Sequence, residues 1–205
     1  MRRITLLAGA MLLMAAFALG RLSAQNADTG PEPSCALCPA DYVPAAEIAA
    51  YEQVAMDTGL TDQQIRSIDV GKTNVQVALV RRGPLAEPRH QSVASHDLVT
   101  EVYYVLSGGG ANLTGGDLID SQRRPPDNRA VQFLNGPGRN SSGVRDGATY
   151  ELEAGDVLVI PAGTGHQFTR IDDHITYLMV RVDPDKVVPL LDAEGSRSYL
   201  AENGQ

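Results

Sequence analysis

The sequence predicts a mainly β protein, an antiparallel sandwich or jelly-roll barrel with a short N-terminal helix. Three observations carry this. Almost every apolar run after residue 60 is short and alternates with polar residues, turn residues separate nearly all of these runs, and helical spacing occurs clearly in one place only. The chain has 205 residues, 43% of them hydrophobic and 20% charged, enough for one well-buried core.

The elements follow in order. Arg2 and Arg3 precede an apolar or small run from Ile4 to Leu19, with Gly20, Ser23 and Ala24 behind it. That is the layout of a signal peptide over residues 1–24, cut after Ala24 or nearby. Sixteen residues fall short of the ~20 that cross a bilayer, so a retained membrane anchor is the poorer reading. The arginine pair also has the look of a twin-arginine signal, which leaves the export route open. The expected location is periplasmic or secreted, with no membrane partner after cleavage.

Residues 25–62 read as a flexible leader that ends in a helix. Pro44 opens a run in which Ile48, Tyr51 and Ala55 recur at helical spacing, and Gly59 is a natural stop. The leader holds Cys35 and Cys38, the only cysteines. In an oxidising compartment they form a local disulfide or stay as idle thiols, with a redox role as the third alternative.

From Gln64 the period becomes two, and residues 63–190 are assigned to the barrel. Runs over 74–79, 92–95, 101–107, 149–152, 156–160, 166–171 and 174–182 supply its strands. Residues 112–147 interrupt the pattern with dense glycine, three prolines and five arginines. This insertion is either a lid over the barrel mouth or a decoration, with 130–134 reading as a strand. Asp183-Pro184 reads as the start of a short closing helix, and 191–205 as a C-terminal tail.

Charge limits the partners. Removing Arg2, Arg3 and Arg21 with the signal leaves 14 basic against 25 acidic residues, a net charge of −11. Such a surface repels phosphates, which argues against nucleic acid and anionic membranes and in favour of a small-molecule ligand or substrate.

Two segments carry the chemistry. The first is His96-Asp-Leu-Val-Thr-Glu101-Val-Tyr-Tyr-Val-Leu-Ser-Gly108, and the second is Gly155-Asp-Val-Leu-Val-Ile-Pro161-Ala-Gly163-Thr-Gly-His166. Their spacings resemble the paired motifs of the cupin superfamily, over roughly residues 71–182. The resemblance implies a cupin jelly-roll barrel, a site inside it, and room for a homodimer in which the strand before the barrel completes a sheet. Two positions depart from the family pattern: Ala94 stands where the first histidine belongs, and Arg170 where the final asparagine belongs.

The resemblance therefore implies at most three protein metal ligands, His96, Glu101 and His166. Two imidazoles and one carboxylate form a recognised facial set for a divalent ion such as Fe, Mn, Zn, Ni or Cu. The alternative is a metal-free small-ligand binding module, in which the same three side chains satisfy one another by hydrogen bonds. His90 lies some 20 Å along the strand from His96 and is no substitute ligand. Alternation puts Glu101 with Tyr103 on one face, and His166, Phe168 and Arg170 on another. Tyr103 is a cavity wall or a catalytic acid or base. Phe168 and Arg170 are expected to bind substrate, Arg170 clamping a carboxylate unless it pairs with Glu101 or turns to the rim. His174, beside Asp172 and Asp173, reads as part of a solvated turn. The resemblance fits oxygenases, decarboxylases, isomerases and lyases alike, because one fold hosts many chemistries.

Overall fold

The computed structural model describes residues 30–204. The expected signal peptide and the first residues of the leader lie outside the described residues. The chain divides into a leading unit, 1–36, whose described part has neither helix nor strand, and a main unit, 37–205. Both cysteines are disulfide-bonded, which selects the disulfide over idle thiols. No helix among the described residues is long and apolar enough to cross a membrane.

The helix expected before the strands is α1, Ala45–Thr58, with Pro44 at its N-cap and Gly59 in the left-handed conformation at its end, φ 69°. Twelve strands follow or flank it. They are β1 (Asp62–Asp69), β2 (Asn74–Arg82), β3 (Val93–His96), β4 (Thr100–Thr114), β5 (Asp117–Ile119), β6 (Gln122–Arg123), β7 (Gly138–Ser141), β8 (Gly143–Arg145), β9 (Ala148–Glu153), β10 (Val157–Ile160), β11 (His166–Arg170) and β12 (Ile175–Asp183). Two further helices are α2 (Arg129–Phe133) and α3 (Ala193–Asn203).

The fold turns on β4, which is long enough to serve two antiparallel sheets. Its first half pairs with β12 and β10, and β12 continues to β2 and β1. Its second half pairs with β9 and β11, and β11 continues to β3, β7 and β6. Gly108 sits between the halves at φ 69°, where a Cβ would lie 2.0 Å from the His174 carbonyl oxygen. Only glycine tolerates both the angle and the approach, so Gly108 fixes the point where the strand changes sheets. Between the sheets lies the inner core of Ala78, Val80, Tyr103, Phe168, Tyr177 and Met179 with their neighbours. The expectation of a mainly β, antiparallel cupin-type fold with a short N-terminal helix holds.

Three local expectations are corrected. Residues 129–133 are helical, because Asn128 accepts a hydrogen bond from the Ala130 N–H and caps a turn there. Asp183 does cap a turn, accepting from the Val187 and Val188 N–H groups. The closing helix instead begins at Ala193 and is capped by Asp192, so the expected tail is largely α3. The insertion contains paired strands, β5 with β8 and β6 with β7.

Helices α1 and α3 cover the outer face of β1 and β2. Tyr51, Ile65 and Leu79 form this second core, and the Tyr51 and Tyr199 rings stack with centroids 5.4 Å apart. A buried ion pair pins the layer: Arg66 donates from both Nη atoms to the Glu47 carboxylate at 2.7 and 3.0 Å, and from Nε to Asp41 at 3.0 Å. Hydrogen bonding from Arg66 holds the Glu47 carboxyl below its ordinary value of 4.5. A depressed carboxylate contributes stability that is present above its unfolded pKa and is lost as pH falls through its folded one. Glu47→Gln should cost about 2 kcal/mol at pH 7, since it leaves Asp41 as the carboxylate partner of the buried Arg66 guanidinium. In urea denaturation the gap to wild type should close as pH drops below about 4.5. A gap that stayed constant to pH 3 would show that the ion pair is not its source.

Candidate metal centre and cavity

Glu101 enters from β4, and its side chain is almost completely buried. His96 ends β3 and His166 begins β11, both 6% exposed. The turn of the second motif segment is tied to the first, because the Gly163 N–H donates to the His96 carbonyl oxygen at 2.6 Å. Gly163 has φ 83°, which favours glycine and shapes that turn. The result brings His96 Nε2 to 3.3 Å from Glu101 Oε1, and His166 Nε2 to 3.4 Å from Oε2. The donor atoms of the three residues lie within 4.8 Å of one another.

Glu101 is also the hub of a hydrogen-bond network. Asn135 Nδ2 donates to Oε1 at 2.6 Å, Arg181 Nε to Oε1 at 3.3 Å, and the Tyr103 hydroxyl to Oε2 at 3.0 Å. Burial pushes the Glu101 carboxyl up, but the two imidazoles and the Arg181 guanidinium outweigh it and hold it well below the usual carboxylate range. Burial pushes His96 down to about 3, so its ring is neutral at pH 7. Tyr103 is raised well above its ordinary value, first by burial and then by the Glu101 charge, which keeps it a hydrogen-bond donor.

The two histidines are held in opposite ways. His166 Nδ1 donates to the Thr164 carbonyl oxygen at 3.1 Å. That leaves Nε2 as the ring nitrogen that faces the carboxylate, an arrangement in which both groups would hold a cation placed between them. His96 Nδ1 lies 3.3 Å from Arg124 Nη1, and because a guanidinium only donates, Nδ1 is the acceptor. That leaves the hydrogen of the neutral His96 ring on Nε2, facing Glu101. The donor set thus offers a divalent ion Nε2 of His166 and the Glu101 carboxylate, and Nε2 of His96 once Arg124 withdraws or the ring changes tautomer.

A cavity of about 610 Å³ opens beside this cluster. His166, Tyr103 and Phe168 line it, as expected of residues on the inner face. Ala94 lines it too and lies opposite His166 in the strand register. The missing histidine is thereby replaced by open space next to the surviving one.

Arg170 is not on the cavity face. A register shift between Phe168 and Arg170 breaks the alternation, and the side chain, 47% exposed, pairs with Glu151 at 2.9 Å and with Asp172. His90 is exposed, and at the surface turn His174 Nδ1 donates to Asp173 while its Nε2 lies 3.2 Å from the Ser107 hydroxyl. The insertion, 112–147, supplies Arg124 and Asn135 to the His96–Glu101 cluster, and of its residues Asn112 lines the cavity.

Sequence reasoning missed five residues: Arg181, Asn135, Arg124, Arg82 and Asn112. Arg181 sits directly across from Glu101 in the register of β12 and β4, a pairing invisible without the fold. Arg82 was accessible to simple alternation, since Ala78 and Val80 share its face.

Comparison with known proteins follows this geometry. A family model for an AraC-like ligand binding domain matches residues 138–204, about a third of the chain. No curated protein matches. Among solved structures, a chain from a crystal structure of DMSP lyases is 21% identical over 52% of this chain and 37% of that one, with a TM-score of 0.32. A protein from Bacillus halodurans is 17% identical over 85% and 98%, TM-score 0.39. A cupin protein from Bacteroides fragilis is 21% identical over 57% and 72%, TM-score 0.32. The family match and the two motif segments support assignment to the cupin superfamily.

In protein stripped with a chelator, long-range ¹⁵N–¹H spectra of the imidazoles should show the Nδ1–H tautomer for His166 and the Nε2–H tautomer for His96. The same tautomer at both rings would mean that Arg124 does not hold His96. Arg124→Ala should release His96 from its tautomer and leave His166 unchanged.

Proposed function

We propose that this is an exported cupin-type protein that holds a divalent metal ion on His96, Glu101 and His166 and acts on a small organic molecule admitted through the adjoining cavity. The observation that carries the reading is the convergence of His96 Nε2 and His166 Nε2 on the two oxygens of the buried Glu101 carboxylate, at 3.3 and 3.4 Å. A bound ion would supply Lewis-acid polarisation of a coordinated group. The protein's own residues do the rest. Thr164 fixes the His166 tautomer, Tyr103 and Asn135 orient the Glu101 carboxylate, and Phe168 and Ala94 shape the space in front of His166. All of these groups come from one chain, so a homodimer is not required to complete the site.

Export to a periplasmic or extracellular location rests on the leader sequence and on the disulfide-bonded cysteines, a state favoured by oxidising compartments. A second reading has its own support. Glu101 already accepts from Tyr103, Asn135 and Arg181, and Arg124 already occupies His96, which suits a metal-free module that binds a small ligand without turnover.

Elemental analysis of untagged protein, purified without chelators, separates the two. Wild type should carry near-stoichiometric Fe, Mn, Zn, Ni or Cu, and His96→Ala and His166→Ala should each lower the content at least tenfold while keeping the native circular dichroism. No metal in wild type after anaerobic reconstitution would leave the binding module. Glu101 is a poor probe, because removing it also takes one of two carboxylate partners from the buried Arg181.

A further inference from the structure

The cavity is cationic in an acidic protein. Three arginines line it, Arg81, Arg82 and Arg89, and among the described residues no Asp or Glu does, although the chain has 25 acidic and 17 basic residues. Arg81 is committed, donating to Glu52 and Thr176 at 3.2 and 2.8 Å, and Arg89 is exposed. Arg82 is exposed as well, and it is distinguished by its seat over an aromatic ring. It continues the inner face of β2 after Ala78 and Val80, so it projects over the aromatic floor of the cavity, its guanidinium carbon 5.5 Å from the centre of the Phe168 ring. Its Nε donates to the Tyr177 hydroxyl at 3.4 Å, and among the described residues neither Nη has a hydrogen-bond partner. A solvent-accessible fork with both ends free, seated on an aromatic face, is suited to two-pronged capture of a carboxylate.

A second observation points the same way. Asn112 is 1% exposed, lines the cavity, and lies opposite Phe168 in the register of β4 and β11. Both Oδ1 and Nδ2 of its amide are buried without a partner. Leaving a buried amide unpaired is costly, and such groups in folded proteins are normally satisfied by protein, water or ligand.

We infer that Arg82 and Asn112 form a recognition subsite for an organic monocarboxylate with a flat apolar body. Arg82 takes the carboxylate, Phe168 and Tyr103 contact the body, and Asn112 reads a polar substituent. One free guanidinium fork neutralises one negative charge, which favours a carboxylate over a phosphate monoester dianion in a cavity with aromatic walls. The inference transfers to Arg82 the role that alternation gives to Arg170. It rests on the reading that this cavity is the ligand site, and it does not need the metal.

The test uses benzoate and its uncharged isostere benzamide, titrated by NMR into full-length chelator-stripped protein. Benzoate should bind at least tenfold more tightly than benzamide and shift the Phe168 and Tyr103 ring signals. Arg82→Gln should erase that tenfold preference, Arg82→Lys should recover part of it, and Arg170→Gln should leave it intact. Asn112→Ala should weaken 4-hydroxybenzoate or 3-hydroxybenzoate more than benzoate. Equal binding of benzoate and benzamide, benzoate binding indifferent to Arg82→Gln, or tighter binding of phenyl phosphate than of benzoate would each overturn the inference. If wild type takes up no metal but its benzoate preference depends on Arg82, the metal reading falls and the subsite stands. If metal binds stoichiometrically and the preference ignores Arg82, the subsite alone falls.

Discussion

A carboxylate with almost no exposure has to be matched by charge and by hydrogen bonds, and Glu101 is the group whose needs organise this molecule. Removing it from water costs several kcal/mol, which no single neutral partner offsets. Arg181 supplies the compensating charge from β12, and is itself fully buried. It is in turn held by Asp62 and Gln64 on β1. Asn135, from the insertion, and Tyr103, from the same strand, complete the shell. One carboxylate thereby links β4, β12, β1 and the insertion, which between them make up much of one sheet and its cover.

That dependence explains what the sequence could reveal. The strands outside the insertion and α1 were legible from local period and turn glycines, and the three members of the cluster from the resemblance of their segments to the cupin motifs. The partners of Glu101 were not. Arg181 reads as an ordinary polar position in a β run, and only the register that places it opposite Glu101 gives it a role. Asn135 sits in a stretch where composition signals a loop, and nothing in a loop's composition says which side chain turns inward. Arg170 shows the opposite failure. Alternation is a sound rule for a regular strand, and one register shift after Phe168 was enough to move the guanidinium to the surface.

The insertion also changes meaning once its contacts are seen. Its glycines and prolines suggest a mobile cover, yet its strands pair within the fold and its side chains reach the ligand cluster directly. Arg124 is the consequential one. By donating to His96 it sets which ring nitrogen carries the hydrogen, so a residue with no reach into the cavity controls whether His96 can offer Nε2 to an ion. The state of the centre is therefore coupled to the seating of the insertion.

The cavity and the cluster are two ends of one surface. His166 and Phe168 are two residues apart on the same face of β11, about 7 Å along the strand, and Arg82 lies over Phe168. A molecule anchored by its carboxylate at Arg82 must therefore lie across Phe168 with its far end directed toward His166, where Ala94 leaves the room that a fourth imidazole would fill. The same substitution that removes a ligand from the centre gives a bound molecule access to it. Loss of that histidine is then compatible with a working site: the fourth side of the cluster is the side from which an anchored molecule arrives.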